Sequence, residues 1–425
     1  MATITEQQPA EARFGGAMAW WVWTLAVAFV VFLFSFQTGY SIVNGKVQAD
    51  VGLSVSQVAT IAAVYTWVFA ICQFFGGALL DRLGSRKVLP ISIALVVIGV
   101  FVFANATTYP MLLLSQVILA AGSCTGFVGA GYVGGSWFGM AKFSFMFGLV
   151  QVVAALTSAF SVNIFDAVLG GTTWRSLFNV YGVIGIGLLI LGAIYIRDPK
   201  PASHGMSEGI GEFFSSVIRG MIEVAKIGHV WIASIVGAAL FGALLALGVV
   251  WAPKLLMVHG MSPAAAGLGT SMLWLGLAVG SALVPWWSDR IRNRKLPIII
   301  GSVVQLASFL PLLYIPSISA PLAIAMCFIF GFANAAHMLA FSTAADVVEP
   351  SQIGTSAAIV NGIMFIFGGI LISRPGVRVG WGIEGGIEPE SLALAQYAAL
   401  PILIALGLAL ALSLVMKETY PKPPE

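Results

Sequence analysis

Long apolar runs, broken by short clusters of Gly, Pro and charge, recur along the whole chain. Cutting at those clusters predicts helices near 20–43, 56–80, 88–106, 110–135, 142–168 and 174–196, then near 229–255, 263–287, 296–315, 319–346, 352–373 and 392–416. Each is about 20 residues, the length at which a helix crosses a hydrocarbon core of roughly 30 Å. The pattern is six runs, a polar interval, and six more. It divides the chain into a tail (1–19), a six-helix half (20–196), a central loop (197–228), a second six-helix half (229–416) and a tail (417–425). In the loop, RDPKPASHG stops helix 6. Phe213, Val217, Met221 and Val224 then recur at helical spacing, as on an amphipathic helix lying on the inner membrane surface, with a flexible linker as the alternative.

Composition sharpens this into an all-α, multi-pass membrane protein. Of 425 residues, 59% are hydrophobic and only 9% charged, and the mean hydropathy is +0.98. The net charge of +3 matters less than its distribution. With both termini in the cytoplasm, 15 of the 20 Lys and Arg fall in internal loops and tails. Only Lys46, Arg175, Lys254, Arg374 and Arg378 fall outside, as the positive-inside rule requires of a protein in the cytoplasmic (inner) membrane. Residues 1–19 lack the basic-then-apolar order of a signal peptide, and the run from Trp20 to Ile42 is too long for one, so the first helix is expected to be retained. Cys72, Cys124 and Cys327 sit inside apolar segments without paired spacing, which argues against disulfides and metal ligation.

Two heptads stand out in so uncharged a chain. DRLGSRK at 81–87 and DRIRNRK at 289–295 superimpose at an offset of 208 positions, and the same shift lays VGLS (51–54) over HGMS (259–262). Two matches at one offset indicate an internal repeat of a six-helix unit, with both heptads at the cytoplasmic turn after the second helix of each half.

GALLDRLGSRK (77–87) resembles the signature loop of the major facilitator superfamily, PWWSDRIRNRK (285–295) resembles its degenerate repeat, and WRSLF (174–178) is similar to the motif that often opens the family's sixth helix. The resemblance spans the chain and implies the major facilitator fold, twelve transmembrane helices in two pseudo-symmetric halves. Gly77 removes a side chain where helix 2 passes close to a neighbour, and a carboxylate at Asp81 suits the positive N-terminal end of another helix. The resemblance implies that Asp81 docks near helix 11 and that Gly77, Asp81 and Arg82 form a conformational latch, with Asp289 and Arg290 as its second copy. Pro285 replaces Gly77 and Arg292 replaces Gly84 there, so the second latch is expected to be weaker. For Arg86 and Lys87 a topological role is the simpler reading.

The resemblance also implies that helices 1, 4, 7 and 10 line a central cavity, where polar side chains at membrane depth are candidates for substrate contact. Asn334 and His337 share a face of helix 10. His337, the one ionisable side chain near the middle of any predicted helix, could hold an anionic group or carry a coupling proton, or serve as a neutral histidine bonded to an adjacent helix. Gln151 and Asn361 stand at similar depth in the two halves, offset by 210, placed either to share a substrate or to bond helix to helix. Gln37 and Tyr40 on helix 1, Tyr65 on helix 2, Phe127 on helix 4 and Trp274 on helix 8 complete the candidates, although core or lipid packing is the commoner role for a single aromatic. Among carriers of this superfamily the chain is nearest in character to the organic-anion type, oxalate/formate-like or monocarboxylate-like. Yet helices 8 and 11 lack the mid-helix Arg or Lys those carriers often have. Helix 4 lacks the Arg of many proton-coupled drug exporters, which disfavours drug/proton antiport.

The function expected is secondary active transport of a small organic solute, a carboxylate as first candidate, by alternating access with proton symport or exchange. A solute sensor on a transporter fold and a membrane-embedded enzyme are the alternatives. The enzyme lacks clustered catalytic groups at one depth, and a primary pump is disfavoured by the absence of GxxxxGK[ST]. The expected partners are a small-molecule substrate, the lipid bilayer and protons, with no nucleic acid, cofactor or metal, in a monomer.

Overall fold

The computed structural model describes residues 15–199 and 210–421. Arg13, Lys200 and Lys422 lie outside them. Among the described residues, twelve helices are long and apolar enough to cross a membrane: helix 1 (Ala17–Val51), helix 2 (Val55–Leu83), helix 3 (Ser85–Ala104), helix 4 (Tyr109–Phe138), helix 5 (Phe143–Leu169), helix 6 (Trp174–Tyr195), helix 7 (Gly228–Val258), helix 8 (Pro263–Ile291), helix 9 (Lys295–Tyr314), helix 10 (Ala320–Ala345), helix 11 (Ile353–Glu384) and helix 12 (Leu392–Val415). Twelve crossings put the start of helix 1 and the end of helix 12 on one side, here called the tail face; the opposite side is the far face.

The VGLS and HGMS matches have a structural cause. Ser54 caps helix 2 by accepting the Gln57 amide, and Ser262, 208 positions later, caps helix 8 by accepting the Ala265 amide. A serine Oγ at this position satisfies an amide that the first helical turn leaves without a partner. Two helices outrun their predicted ends. Helix 1 continues to Val51 and helix 11 to Glu384, carrying Pro375, Arg374 and Arg378 inside the helix. Cutting at every charge or proline is too strict where a helix projects past the hydrocarbon and its polar face meets headgroups and water.

Three membrane helices are irregular where side chains with candidate roles sit. Helix 4 is interrupted at Cys124–Thr125, helix 7 widens into a π-turn at Leu247–Trp251, and helix 10 tightens into a 3₁₀ turn at Ala335–Met338. The core is apolar, with Phe29, Phe103 and Phe178 fully buried in the first half and Phe309 and Phe330 in the second. Large apolar side chains such as Ile98, Ile164 and Ile404 stand exposed on the outer wall, as a lipid solvent permits. The three cysteines are free thiols.

Helix 2 lies on helix 11 and helix 5 on helix 8, and each crossing is made close by one glycine. A Cβ on Gly77 would overlap the Gly354 carbonyl, and a Cβ on Gly148 would overlap the Ser281 carbonyl, with Pro285 Cγ at 3.0 Å. Pro285 therefore does not prevent the second close approach that its replacement of Gly77 was expected to spoil. Gly148, on the partner helix, supplies it.

In the central loop, Ile210–Ala225 forms a helix. Val217 and Val224 are buried, Met221 is half-buried, and the Phe213 side chain lies outside the described set. The helix lies under helices 2 and 11 on the tail face, where its Ser216 carbonyl accepts Arg82 Nη2 at 2.7 Å.

Candidate functional site

On the tail face, Asp81 at the end of helix 2 meets the beginning of helix 11. One carboxylate oxygen accepts the Gly354 amide at 2.7 Å, and the other accepts the Thr355 amide and the Thr355 hydroxyl, each at 2.7 Å. These amides belong to the first turn of helix 11, which has no internal acceptor for them and carries the positive end of the helix dipole. The Asp81 side chain is buried, so each bond is shielded from water. One carboxylate thus ties the two halves together.

The second copy is built differently. Asp289 contacts Arg294 of its own half through Nη1. The Ser144 hydroxyl and the Phe145 amide, 210 positions before Gly354 and Thr355, face the same carboxylate from the start of helix 5. Arg294 is fully buried. Its Nε lies 3.3 Å from Asp346, which closes helix 10, and its guanidinium stacks 4.6 Å over the Tyr420 ring. Glu418, in the segment after helix 12, accepts the Arg294 and Lys295 amides at 2.9 and 3.0 Å and so caps helix 9. Burial pushes the Asp346 carboxyl up to about 6, and the Arg294 charge limits the rise. For Glu418 burial works in the same direction, but the amides of Arg294, Lys295, Tyr420 and Thr419 outweigh it and hold its carboxyl below the usual range. Asp198, after helix 6, caps helix 3 in the same way by accepting the Ser85 and Arg86 amides at 2.8 and 3.1 Å. Arg290 lies 6.0 Å over Trp286, away from the cluster.

Between these contacts an aromatic layer closes the tail side of the centre. Phe147 of helix 5 stacks on Phe341 of helix 10 at 4.4 Å, and Phe127 of helix 4 lies at 5.4 and 6.0 Å from the two. Beside them the Ser144 and Ser342 hydroxyls bond at 2.6 Å across the halves. Phe127 thus belongs to a plug rather than to an open wall.

Further from the tail face, an unbroken chain of side chains crosses from one half to the other. Gln37 Nε2 donates to Tyr65 Oη at 2.5 Å. Tyr65 stacks on Phe69 at 5.9 Å, Phe69 meets Phe365 at 5.0 Å, Phe365 meets Phe241 at 6.2 Å, and Phe241 lies 4.9 Å from the His337 ring. His337 Nδ1 is 2.8 Å from the Asn334 carbonyl. A carbonyl only accepts, so Nδ1 carries the proton, and neutral His337 keeps its lone pair on Nε2. That nitrogen has no protein partner among the described residues. It accepts from a hydroxyl when neutral and donates to an anion when protonated.

Asn334 Nδ2 and Gln305 Nε2 both donate to the Leu240 carbonyl, at 2.5 and 3.1 Å, which leaves both amide oxygens buried and unpaired. Gln151 and Asn361 are buried in their respective halves without bonding to each other, and Asn361 Nδ2 is enclosed and unpaired. Gln73, which the sequence pattern did not single out, is fully buried with both amide atoms unpaired. Unpaired buried amides cost free energy unless water or a ligand satisfies them, about 1–3 kcal/mol each. Two candidates lie elsewhere. Tyr40 packs against Phe103 inside the first half, 5.6 Å between rings, and Trp274 packs against Gly248 in the π-turn of helix 7. Thr355, Arg294, Asp346 and Glu418 were also missed. Only Arg294 had a signal, its match to Arg86 in the repeat.

The Major Facilitator Superfamily profile matches residues 15–373. The chain belongs to that superfamily. Members of that superfamily are secondary transporters rather than enzymes. Among curated relatives, this superfamily member is 28% identical over 170 residues to the probable galactarate/D-glucarate transporter GudP of Bacillus subtilis, covering 38% of the chain and 36% of the relative. It is 23% identical to the probable sulfoacetate transporter SauU of Cupriavidus necator, covering 39% and 38%. The chain therefore spans little more than a third of the length of those two relatives. With GudP of Escherichia coli the match is 23% identical and covers 67% of this chain and 71% of the relative. Solved structures agree on the fold. The human organic anion transporter MFSD10 aligns with a TM-score of 0.70 at 14% identity, over 96% of this chain and 100% of that one. The proton:xylose symporter XylE aligns with 0.68 at 16% identity, over 95% and 97%.

Proposed function

We propose that the protein carries a small organic anion, of the hydroxylated dicarboxylate or sulfonated carboxylate class, by alternating access, with His337 as the proton-coupling group. The observation that supports this reading is the bare Nε2 of His337 in a setting of unpaired amides, at the end of an aromatic chain joining the halves. A neutral imidazole accepts from a hydroxyl, and a protonated one holds an anionic group, so substrate and proton favour one another at a single atom. Gln37, Tyr65, Gln73, Gln151 and Asn361 supply the remaining hydrogen-bonding capacity. The names of the relatives, galactarate/D-glucarate and sulfoacetate transporters, favour this substrate class over sugars and amines. Charge distribution favours the tail face as cytoplasmic and the cytoplasmic membrane as the location. The bonded tail-face contacts support reading this conformation as closed on the cytoplasmic side, and we take a monomer as the working unit.

Counterflow of labelled galactarate, glucarate and sulfoacetate in proteoliposomes tests it. Exchange of any of the three, with none for xylose or a primary amine, supports the proposal; the reverse pattern removes the anion. His337→Gln keeps a hydrogen-bonding group but cannot titrate. It is expected to retain exchange while losing the pH dependence of net uptake, and an unchanged pH profile would leave His337 outside the coupling.

A further inference from the structure

Helices 11 and 12 form a groove of about 410 Å³ on the far-face half of the protein's outer wall. Phe367, Ile370 and Leu371 line it on helix 11, and Leu400, Ile404 and Leu408 on helix 12. Ile370 and Ile404 are 46% and 62% exposed, so this surface is uncovered among the described residues. Pro401 lies inside helix 12 at the groove. Arg374, Arg378 and Trp381 stand at its far-face end. Arg374 is 21 positions beyond the start of helix 11, which places it about 32 Å up the helix at 1.5 Å per residue, the headgroup level for a core of roughly 30 Å. From Phe367 to Arg374 the groove runs about 11 Å beneath the arginines by the same rise, enough for the upper part of one acyl chain.

The two arginines are one helical turn apart and share a face. Arg378 is held in place: its Nε donates to the Tyr397 carbonyl at 2.7 Å and its guanidinium lies 4.0 Å over the Tyr397 ring. Its terminal nitrogens, and the whole Arg374 guanidinium, have no protein partner among the described residues. Elsewhere on the far face Arg175 pairs with Asp50 at 2.8 Å and Lys254 lies 4.7 Å over the Trp251 ring. Two adjacent guanidiniums with open donors suit a phosphate, which they grip in a planar, two-bond geometry. A choline or ethanolamine headgroup would set an ammonium beside two positive charges.

We infer that this groove binds a phospholipid with an uncompensated phosphate charge, phosphatidylglycerol in kind, its phosphate between Arg374 and Arg378 and one acyl chain along helices 11 and 12.

The full-length protein, purified in a neutral detergent with equimolar phosphatidylglycerol and phosphatidylcholine, is examined by native mass spectrometry. The wild-type chain is expected to retain phosphatidylglycerol about tenfold over phosphatidylcholine, as a difference of one such charge contact implies. R374Q/R378Q should bring that ratio close to one. Arg374 is exposed and has no ion pair or hydrogen bond among the described residues, so R374Q alone should leave the fold intact and lower the ratio part of the way. Ile404→Trp keeps both charges but fills the acyl-chain part of the groove, and it should also cut retention. Excess glycerol 3-phosphate should not displace the lipid. Equal retention of the two lipids by the wild type, no change in R374Q/R378Q, full retention in Ile404→Trp, or displacement by glycerol 3-phosphate would each overturn the inference.

Discussion

Asp81 and Asp289 begin matching heptads, close matching helices and face matching helix starts on the opposite half, yet only Asp289 also shares its carboxylate with a buried arginine. Asp81 takes three bonds at 2.7 Å from Gly354 and Thr355. Asp289 meets the equivalent helix start at Ser144 and Phe145, but its short contact is with Arg294 of its own half, which also holds Asp346 and is covered by Tyr420. A repeat thus preserves where a charge stands without preserving what it holds. The first copy spends its carboxylate wholly on the join between the halves; the second meets helix 5 across the same join and also binds helices 8, 9 and 10 and the C-terminal segment through Arg294.

Gly77→Val should break the comparison most severely. A side chain there overlaps the Gly354 carbonyl, which is backbone and cannot rotate away, so helices 2 and 11 must separate and all three Asp81 bonds stretch with them. Overpacking of this kind costs about 1–3 kcal/mol before the lost bonds are counted. Near-complete loss of counterflow is expected, with the chain still inserted in the membrane. Wild-type rates in Gly77→Val would show that the crossing has slack.

The next largest effect separates the two aspartates directly. Asp81→Asn turns an amide nitrogen towards donors that need an acceptor, and a charge-assisted hydrogen bond is worth roughly 1.5–3 kcal/mol. At about 2 kcal/mol the population shifts some thirtyfold away from the tail-closed state. Asp289→Asn should do much less, because Arg294 keeps Asp346. Labelling with a membrane-impermeant thiol reagent, at one cysteine introduced just on the far side of the Phe127, Phe147 and Phe341 layer in an otherwise cysteine-free chain and with the reagent added from the tail side, reads the difference. Equal labelling of the two variants and the parent would reduce both heptads to topology signals.

The smallest effect is a pH dependence confined to the second copy. Asp346 titrates near 6 in the folded chain against an ordinary 3.8. Between those values the folded state binds more protons than the unfolded one, so its stability contribution is present at low pH and is lost as pH rises through about 6. Glu418, held low by backbone amides, works in the opposite sense and loses its contribution as pH falls through its depressed folded pKa. Melting temperatures between pH 4 and 7 should therefore fall less steeply with rising pH in Asp346→Asn than in the wild type. Glu418→Gln should remove the loss on the acid side. Parallel curves for all three proteins would place the carboxylates in water.

Much of this was legible beforehand. The twelve helices follow from hydropathy and length, and the family from two heptads at one offset, because both signals are local and repeated. The candidate site was legible only as residue types. Asn334 and His337 do lie together, and Gln37 and Tyr65 bond, but Phe127 belongs to the plug and Tyr40 to the interior of the first half. Gln73 carries no pattern that distinguishes it from any polar residue in a helix, and its unpaired amide is visible only when its neighbours are in place.

The sequence by itself determined the number of crossings, the twofold repeat, the face that gathers positive charge and the small residue at Gly77, because each depends on composition and spacing within a few helical turns. Tertiary structure alone decided which bonds each carboxylate makes: Asp81 takes the first turn of helix 11, reaching Thr355, 274 positions away, while Asp289 divides itself between helix 5 and Arg294, and Gly148 rather than residue 285 makes room at the second crossing. A carboxylate at a helix end can be satisfied by an amide turn or by a guanidinium. Which one wins is set by the donor that packing brings within 3 Å, and that depends on the assembly of both halves.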